Sequence, residues 1–258
     1  MLQFFRETVR YRELIWALAL KDLRVRYKRS ALGFFWALLH PLLMMVILTI
    51  VFSTVMRFNI DNYAVFLVVA LLPWTFFSQS LSYSAESIVS NGELLKKLYI
   101  AKSVFPVSAV LANFINFVLS LIPLLLLLVV MRFPLHWTWI YLPVPTIGLI
   151  AFTLGFCFFC SAANVFFRDV AHIIQIVLSA WFYFSPIIYS LDFIPERFYI
   201  FFRLNPLVYI LNGFRMAIYH GGLPTIQSAA MSLGCGFICF AIGYAIFRKY
   251  EDSFVYYL

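Results

Sequence analysis

Charged side chains are scarce in this sequence, and their scarcity excludes an ordinary soluble domain. They make up 12% of the 258 residues, against roughly 25% in an average soluble protein. Hydrophobic residues account for 64%, and aromatic residues alone for 20%. One globular core cannot enclose so many apolar side chains, so lipid must solvate most of the chain. The composition indicates an all-α protein that crosses a membrane several times.

Acidic residues are missing from the centre of every long apolar segment. Glu86 and Asp169 lie at segment ends on one side of the expected membrane, and Asp61 and Asp192 lie at segment ends on the opposite side. Ion-coupled transporters hold ionisable side chains near the bilayer midplane, so this distribution argues against a secondary transporter. The chain also has no Gly-Lys dipeptide, which a Walker A motif requires. A transport function would therefore need an external motor.

Clusters suited to catalysis or metal binding are also lacking in the sequence. The histidines fall on four different segments: His40, His136, His172 and His220. Cys157 and Cys160 have C-x-x-C spacing, but they lie within an apolar run, which favours packing in a helix over a metal site. An embedded enzyme that modifies glycolipids remains the second interpretation, followed by a membrane scaffold.

Six segments are long and apolar enough to cross a bilayer, which takes about 20 helical residues. The predicted spans lie near residues 33–55, 63–83, 104–131, 141–165, 171–190 and 226–247. Fourteen of the 19 Lys and Arg residues fall on the side that holds both termini. The positive-inside rule therefore places the N- and C-termini in the cytoplasm. The same rule explains the net charge of +8 better than nucleic-acid binding does.

Residues 1–32 contain an amphipathic helix that is not apolar enough to span. Its apolar stripe is Trp16, Leu20, Leu23 and Tyr27, and its cationic stripe is Lys21, Arg24 and Lys28. This pattern predicts a helix on the cytoplasmic membrane surface, with its cations free to reach headgroup phosphates. Such a helix could be a simple anchor or a site for an anionic lipid head.

Residues 191–225 form the second unusual segment. They are interrupted by Pro195, Pro206 and Gly213, yet they are too apolar to lie in water. Two short helices that dip into the outer leaflet would satisfy the backbone hydrogen bonds of this segment. The sequence therefore predicts external re-entrant helices between the fifth and sixth spans.

The connection at residues 84–103 is a candidate docking site for the motor. A polar helix breaks at Asn91-Gly92 and resumes with paired lysines. The predicted coupling residues are Glu86, Asn91, Glu93, Lys96 and Lys97. The alternative interpretation of this connection is a solvated linker.

Three blocks of residues occur in series along the chain: RYKRSALGFFWALLHPLL at 26–43, LLPWTFFSQSLSYSAESIVSNGELLKKLYIAKSVFPVSAV at 71–110, and NVFFRDVAHIIQIVLSAWFYFSPIIYS with IPERFYIFFRLNPLVYILNGFRMAIYHG at 164–221. They resemble the first span, the coupling loop with its flanking spans, and the fifth span with the outer re-entrant helices of one transporter family. That family comprises the ATP-binding-cassette (ABC) permeases that export polysaccharides and polyol phosphates. One departure is His40-Pro41, where members commonly carry Asn-Pro.

The resemblance implies a homodimer of this chain that works with two copies of a cytoplasmic ATPase in the cell (inner) membrane. ATP and Mg²⁺ would bind to that ATPase, so this chain is expected to carry no cofactor and no metal. The implied substrate is a glycan linked to a polyprenyl pyrophosphate: O antigen first, with capsule or teichoic acid as alternatives. An ABC permease for a small lipid or drug is the remaining transport alternative.

Cations before the first span are the predicted entrance for the lipid pyrophosphate. They are Arg24, Arg26, Lys28 and Arg29. Unaided transfer of a pyrophosphate into hydrocarbon would be prohibitive, and the planar fork of arginine suits phosphate oxygens. The alternative is that these cations only set the topology of the chain.

Aromatic clusters in the second and fifth spans are candidate channel-lining residues, because aromatic faces stack on sugar rings. They are Trp74, Phe76, Phe77, Trp181, Phe182, Tyr183 and Phe184. The interfacial aromatic belt of membrane proteins is the alternative explanation. His40 is predicted to be a structural polar residue. Its ring N–H would donate a hydrogen bond to a backbone carbonyl that Pro41 leaves unpaired in the first span.

Overall fold

The structure is a computed structural model that describes residues 2–28, 33–55, 60–97 and 99–258. Helices form throughout this part of the chain, and no strand occurs in it. The α-helices are α1 (Leu2–Arg10), α2 (Arg12–Tyr27), α3 (Trp36–Thr49), α4 (Tyr63–Ser90), α5 (Gly92–Lys97), α6 (Val104–Val130), α7 (Pro143–Phe166), α8 (Val170–Tyr183), α9 (Tyr199–Leu204), α10 (Pro206–Ile218), α11 (Ile226–Tyr250) and α12 (Phe254–Tyr257). The all-α prediction is confirmed for these residues.

Helix α4 lies at the centre of the bundle. Its eight consecutive residues 65–72 are each at most 4% exposed, so this part of the helix is enclosed by protein on every side. Helices α3, α6, α7, α8 and α10 pack around it. An apolar helix without a polar face is typical of such a central position.

Among the residues that the structure describes, four helical segments are long and apolar enough to cross a membrane. They are Tyr63–Ser90, Val104–Val130, Trp137–Phe166 and Ile226–Tyr257. These segments correspond to the second, third, fourth and sixth predicted spans. The first predicted span coincides with a helical run from Gly33 to Val55, in which a 3-10 turn precedes α3 and a π-helical segment follows it.

The fifth predicted span is helical over a shorter stretch than the sequence suggested. Helix α8 ends at Tyr183, and its 14 residues rise about 21 Å, against a hydrocarbon thickness of about 30 Å. Residues 184–190 continue as turns. Pro186 explains the ending, because a proline disfavours helical geometry at the residue before it, here Ser185.

Helices α7 and α11 pack closely along a glycine seam. The seam consists of Gly148 and Gly155 on α7 and of Gly236 and Gly243 on α11. The two glycines on each helix are seven residues apart, so they lie on one face. A Cβ atom at Gly155 would approach the Cys239 carbonyl group to 2.4 Å, and one at Gly243 would approach the Gly155 oxygen to 2.0 Å. Only glycine permits backbones to pack this closely.

Helix α2 packs on α6 through a face that differs from the predicted apolar stripe. Ile15, Ala19 and Leu23 are buried at successive four-residue intervals, whereas Trp16 is 51% exposed. Leu23 of the predicted apolar stripe thus packs on protein, whereas Trp16 does not, and the predicted contact of the stripe with the membrane surface stays a prediction. Docking against α6 rotates the helix so that protein, rather than lipid, covers this face.

An ionic cluster joins α1, the loop after α5 and the end of α11. Glu7 of α1 accepts hydrogen bonds from Ser103 at 3.1 Å and from Arg248 at 3.3 Å. Arg248 also pairs with Glu251, and Lys102 donates to the Glu251 carbonyl at 2.6 Å. These bonds tie the N-terminal helix to the loop after α5 and to the end of α11.

Candidate translocation groove

A groove with a volume of about 730 Å³ runs between α3, α4 and α8 and is open on one side. Its polar side chains come from two helices: Ser78, Gln79, Ser82 and Glu86 on α4, and Gln175 and Ser179 on α8. Its aromatic side chains are Trp74, Tyr83, Phe182 and Tyr183. The groove thus combines hydroxyl and amide groups with aromatic rings.

The polar stripe of α4 explains why the groove lies here. Beyond Leu72 the helix is no longer apolar on all sides, since Thr75, Gln79, Ser82 and Glu86 recur at intervals of three and four residues. This spacing places them on one helical face. Helix α8 buries Ile174 and Leu178 and presents Gln175 and Ser179 one position later. The stripe is readable in the sequence, but the sequence analysis did not use it.

A smaller cavity of about 180 Å³ adjoins the groove at its α4 wall. This cavity, the Arg26 pocket, has polar lining residues that include Arg26, Gln79, Tyr83, Asn113, Asn116 and Ser120. The Arg26 guanidinium lies over the Tyr83 ring, 3.8 Å from its centroid. Its Nη1 donates a hydrogen bond to Asn113 Oδ1 at 3.0 Å. Pro41, Thr75, Gln79 and Tyr83 line both the pocket and the groove.

The predicted entrance cations do not form one cluster in the structure. Arg26 is half-buried in its pocket, whereas Arg24 and Lys28 are exposed. Arg29 lies outside the described residues. Of the entrance cations in the described ranges, Arg26 alone lines the pocket. The role of all four as a pyrophosphate entrance stays a prediction.

Comparison with known proteins identifies the family. The model of the ABC-2 type transporter family matches residues 13–219 of this chain. The chain belongs to this family.

Two O-antigen export permeases are among the relatives of this ABC-2 transporter. The O-antigen export system permease protein RfbA of Klebsiella pneumoniae is 34% identical over 244 residues, covering 94% of this chain and 93% of its own length. The protein of the same name from Myxococcus xanthus is 34% identical over 258 residues, with 98% of each chain covered. The polysialic acid transport protein KpsM of Escherichia coli is 24% identical over 253 residues, covering 92% and 93% respectively.

The predicted coupling residues of the ABC-2 transporter surround the break between α4 and α5. Glu93, Lys96 and Lys97 are exposed on α5, while Gly92 and Leu95 form its buried inner face. Helix α5 therefore presents its charged side chains outward.

Asn91 marks the break itself and also contacts α2. Its Nδ2 donates to the Ser87 carbonyl at 2.8 Å, and its Oδ1 accepts from Lys21 Nζ at 3.3 Å. Glu86 lies one turn earlier and lines the groove instead of joining α5. The coupling role of these residues stays a prediction.

The predicted channel aromatics separate into buried and exposed rings. Trp74, Phe76 and Phe77 are at most 6% exposed, and Trp181 and Phe182 are partly buried against them. Tyr183 and Phe184 are more than 60% exposed. The members that line the groove are Trp74, Phe182 and Tyr183. Contact of any of these rings with substrate stays a prediction.

Pro41 lies inside α3 and lines both the groove and the Arg26 pocket. Helix α3 continues through it. The backbone of His40 belongs to this helix, but its side chain lies outside the described residues. The predicted structural role of His40 therefore stays a prediction.

Arg215 on α10 is a buried cation that the sequence analysis missed. It is 6% exposed, and it donates hydrogen bonds to the Pro186 carbonyl and, at 2.7 Å, to the Ile187 carbonyl. Its guanidinium lies 3.7 Å from the centroid of the Phe66 ring. Arg215 thus holds the turns after α8 against α4, and its place between apolar residues was the available signal.

Asn205 provides a second anchor for the same turns. It accepts from Leu207 N at the start of α10 and from Trp181 Nε1, both at 3.1 Å. Its amide nitrogen donates to the Phe184 carbonyl and to Ser185 Oγ. One asparagine therefore fixes the end of α8 relative to the start of α10.

Proposed function

We propose that this chain is the transmembrane subunit of an ABC exporter that moves a lipid-linked polysaccharide out of the cytoplasm. The observation that best supports this proposal is the groove of hydroxyl, amide and aromatic side chains along α4 and α8. Hydroxyl and amide groups can exchange hydrogen bonds with successive sugars, while aromatic rings add contact area. The full-length similarity to two O-antigen permeases supports an O-antigen type of polymer, ahead of capsule or teichoic acid.

The proposed topology has six spans with both termini in the cytoplasm. The run from Gly33 to Val55 and α8 with its following turns would supply the first and fifth spans, beside the four long apolar segments. Helices α9 and α10 would be the external re-entrant helices. The anchoring of their segment by Arg215 and Asn205 supports this assignment, because irregular backbone at membrane depth must be satisfied by protein.

The proposed assembly contains two copies of this chain and two ATPase subunits, which bind ATP and Mg²⁺. A groove that is open on one side supports a homodimer, since a second copy would complete the wall of a pathway. The charged outer face of α5 supports docking of the ATPase there. Arg24, Arg26, Lys28 and Arg29 would receive the carrier pyrophosphate at the cytoplasmic entrance.

Disruption and complementation in the source organism test this function. Loss of the gene is expected to remove the surface polysaccharide and to cause its lipid-linked form to accumulate inside the cell. A groove-filling variant, Ser82→Trp, is expected to reproduce this defect. The matched control is Val118→Trp, because Val118 is an exposed apolar residue of α6 that lines neither cavity.

The outcomes separate export from the alternatives. Normal surface polysaccharide in the disrupted strain would contradict the proposal. A surface polysaccharide of normal amount but altered structure would instead support an embedded glycolipid-modifying enzyme.

A further inference from the structure

The Arg26 pocket contains two buried polar atoms that have no hydrogen-bond partner among the described residues. They are Arg26 Nε, a donor, and Asn116 Oδ1, an acceptor. Asn116 lies one turn after Asn113 on α6, and Gln79 of α4 lines the same cavity. An unpaired buried polar group costs free energy, so a donor and an acceptor in one cavity point to a ligand that completes both.

The chemistry of the pocket selects among ligand classes. An alkyl chain would leave both atoms unpaired, and an anion alone would satisfy Arg26 Nε but not the acceptor Asn116 Oδ1. A hydroxyl group, like a water molecule, both donates and accepts, so a hydroxylated ring meets both demands and also brings apolar faces. The aromatic rings of Phe76, Tyr83 and Phe117 supply apolar walls. The cavity, of about 180 Å³, is suited to one sugar ring and too small for a chain of them.

The position of Arg26 indicates which ring of a glycan would enter. Its guanidinium is held on one side by the Tyr83 ring and through Nη1 by Asn113, so its Nε remains for a ligand. No carboxylate is among the described residues that line the pocket; the Asp22 carboxyl, which interacts electrostatically with Arg26, is not one of the lining residues. Within the pocket the cation can therefore contact a phosphate next to the ring.

We propose that the Arg26 pocket binds the sugar ring attached directly to the carrier pyrophosphate, with Asn116 accepting a ring hydroxyl and Arg26 contacting the adjoining phosphate. This inference rests on the proposed export of a lipid-linked glycan. It adds a subsite that distinguishes a loaded carrier from an empty one before the polymer enters the groove.

Competition binding to the purified full-length permease in lipid nanodiscs tests this subsite. A fluorescent short-chain polyprenyl pyrophosphate is displaced either by the unlabelled pyrophosphate or by the same carrier bearing glucose, galactose or N-acetylglucosamine. At least one glycosylated carrier is expected to compete about tenfold better than the bare carrier, a difference of about 1.4 kcal/mol. Asn116→Leu is expected to remove this advantage without weakening the bare carrier.

Matched variants control the measurement. Arg26→Gln is expected to weaken all carriers, whereas Arg12→Gln is not, because Arg12 is exposed and lines neither cavity. Asn212→Leu, at an exposed asparagine of α10, is expected to keep the sugar advantage. If Asn116→Leu does not fold, Asn116→Ser is the replacement, since it shortens the acceptor side chain without adding bulk.

Two results would overturn the subsite. One is equal competition by bare and glycosylated carriers in the unmodified permease; the other is an undiminished sugar advantage in folded Asn116 variants. Either result would leave the export phenotype of the disrupted strain untouched. Conversely, normal export by a strain that lacks the gene would reject the proposed function, whatever the result of the competition binding in nanodiscs.

Discussion

At the scale of single residues, Arg26 is held in a geometry that depends on the shape of its side chain as well as its charge. The guanidinium lies over the Tyr83 ring while its Nη1 donates a hydrogen bond to Asn113. A lysine ammonium is a point charge without a planar fork, so it cannot reproduce both contacts. The cation of this cavity is therefore expected to tolerate little substitution.

The first prediction compares two arginines of α2. Arg26→Lys is expected to lower polysaccharide export several-fold, because it loses both the stacking and the fork, whereas Arg12→Lys, at an exposed arginine of the same helix, is expected to leave export unchanged. Surface polysaccharide per cell, normalised to permease in the membrane, measures the effect. Equal export by both variants would indicate that α2 contributes only its positive charge.

The second prediction concerns Asp22, one turn before Arg26 on α2. Burial raises the pKa of its carboxyl above the ordinary value of 3.8, although Lys21 and Arg26 lower it in part. The ionised form is thus disfavoured in the folded protein, and this cost is relieved as the pH falls through the raised pKa. Asp22→Asn removes the titration.

Thermal unfolding in nanodiscs between pH 8 and pH 4 measures this effect. At pH 8 the Asp22→Asn variant is expected to unfold at the higher temperature, and the gap is expected to shrink as the pH falls. A gap that is independent of pH would show that Asp22 does not titrate over this range.

At the scale of elements, α5 has a buried inner face and an exposed charged face. A Cβ atom at Gly92 would lie 3.4 Å from the Leu258 side chain, so the last residues of the chain support the inner face of α5. Arg168, in the turn between α7 and α8, donates to the Tyr257 carbonyl at 3.2 Å. The C-terminal segment therefore contacts both α5 and the turn that precedes α8, one wall of the groove.

The third prediction tests the outer face of α5. Reversing the charge of Lys96 and Lys97 with glutamate is expected to reduce co-purification of the ATPase at least tenfold while the permease stays folded, because both side chains point away from the protein. Lys249→Glu, an exposed lysine at the end of α11, serves as the charge control. Full ATPase stimulation and full export in the double variant would reject α5 as the docking element.

The fourth prediction tests the glycine seam between α7 and α11. Gly155→Ala and Gly243→Ala are each expected to destabilise the permease by roughly 1–3 kcal/mol, because the added methyl group meets backbone atoms of the facing helix. Gly234→Ala is the control, since nothing lies within 4 Å of its Cβ position and alanine favours helix by up to about 1 kcal/mol. Unfolding is followed by fluorescence-detected size exclusion, and Gly234→Ala is expected to be more stable than the other two variants. Equal stability of all three would contradict close backbone packing at the glycine seam.

At the scale of the whole molecule, the bundle has one enclosed half and one open side. Residues 65–72 of α4 are surrounded by other helices, whereas the polar stripe that follows lies in a groove that is open along α3 and α8. A polar groove open to hydrocarbon would be costly. This asymmetry is consistent with a second copy, or substrate, completing the groove in the membrane.

The fifth prediction concerns orientation. In a variant without the four native cysteines, single cysteines at the exposed positions Asp61 and Glu196 are expected to react with an impermeant thiol reagent in intact cells. A cysteine at exposed Ser90 is expected to react only after lysis. The reverse pattern would place both termini outside and contradict the charge-based orientation.

Several features of the groove and its surroundings could not be read from the sequence. The face on which α2 docks, the ring that covers Arg26 and the partners of Arg215 depend on contacts between residues far apart in the chain. Trp16 illustrates the problem, because an apolar residue on a membrane-surface helix can face lipid or protein with equal ease. The polar stripe of α4 was the exception, since its period alone indicates one shared face.

The sequence by itself determined that the protein is a helical membrane protein of a transporter family. Lipid and protein interiors are both apolar, so long runs of hydrophobic residues specify helices regardless of their neighbours. The same equivalence conceals which face of each helix is covered, and there the tertiary structure decided. It brought Arg26, Tyr83 and Asn116 into one pocket, because only three-dimensional packing joins α2, α4 and α6 around two unpaired polar atoms.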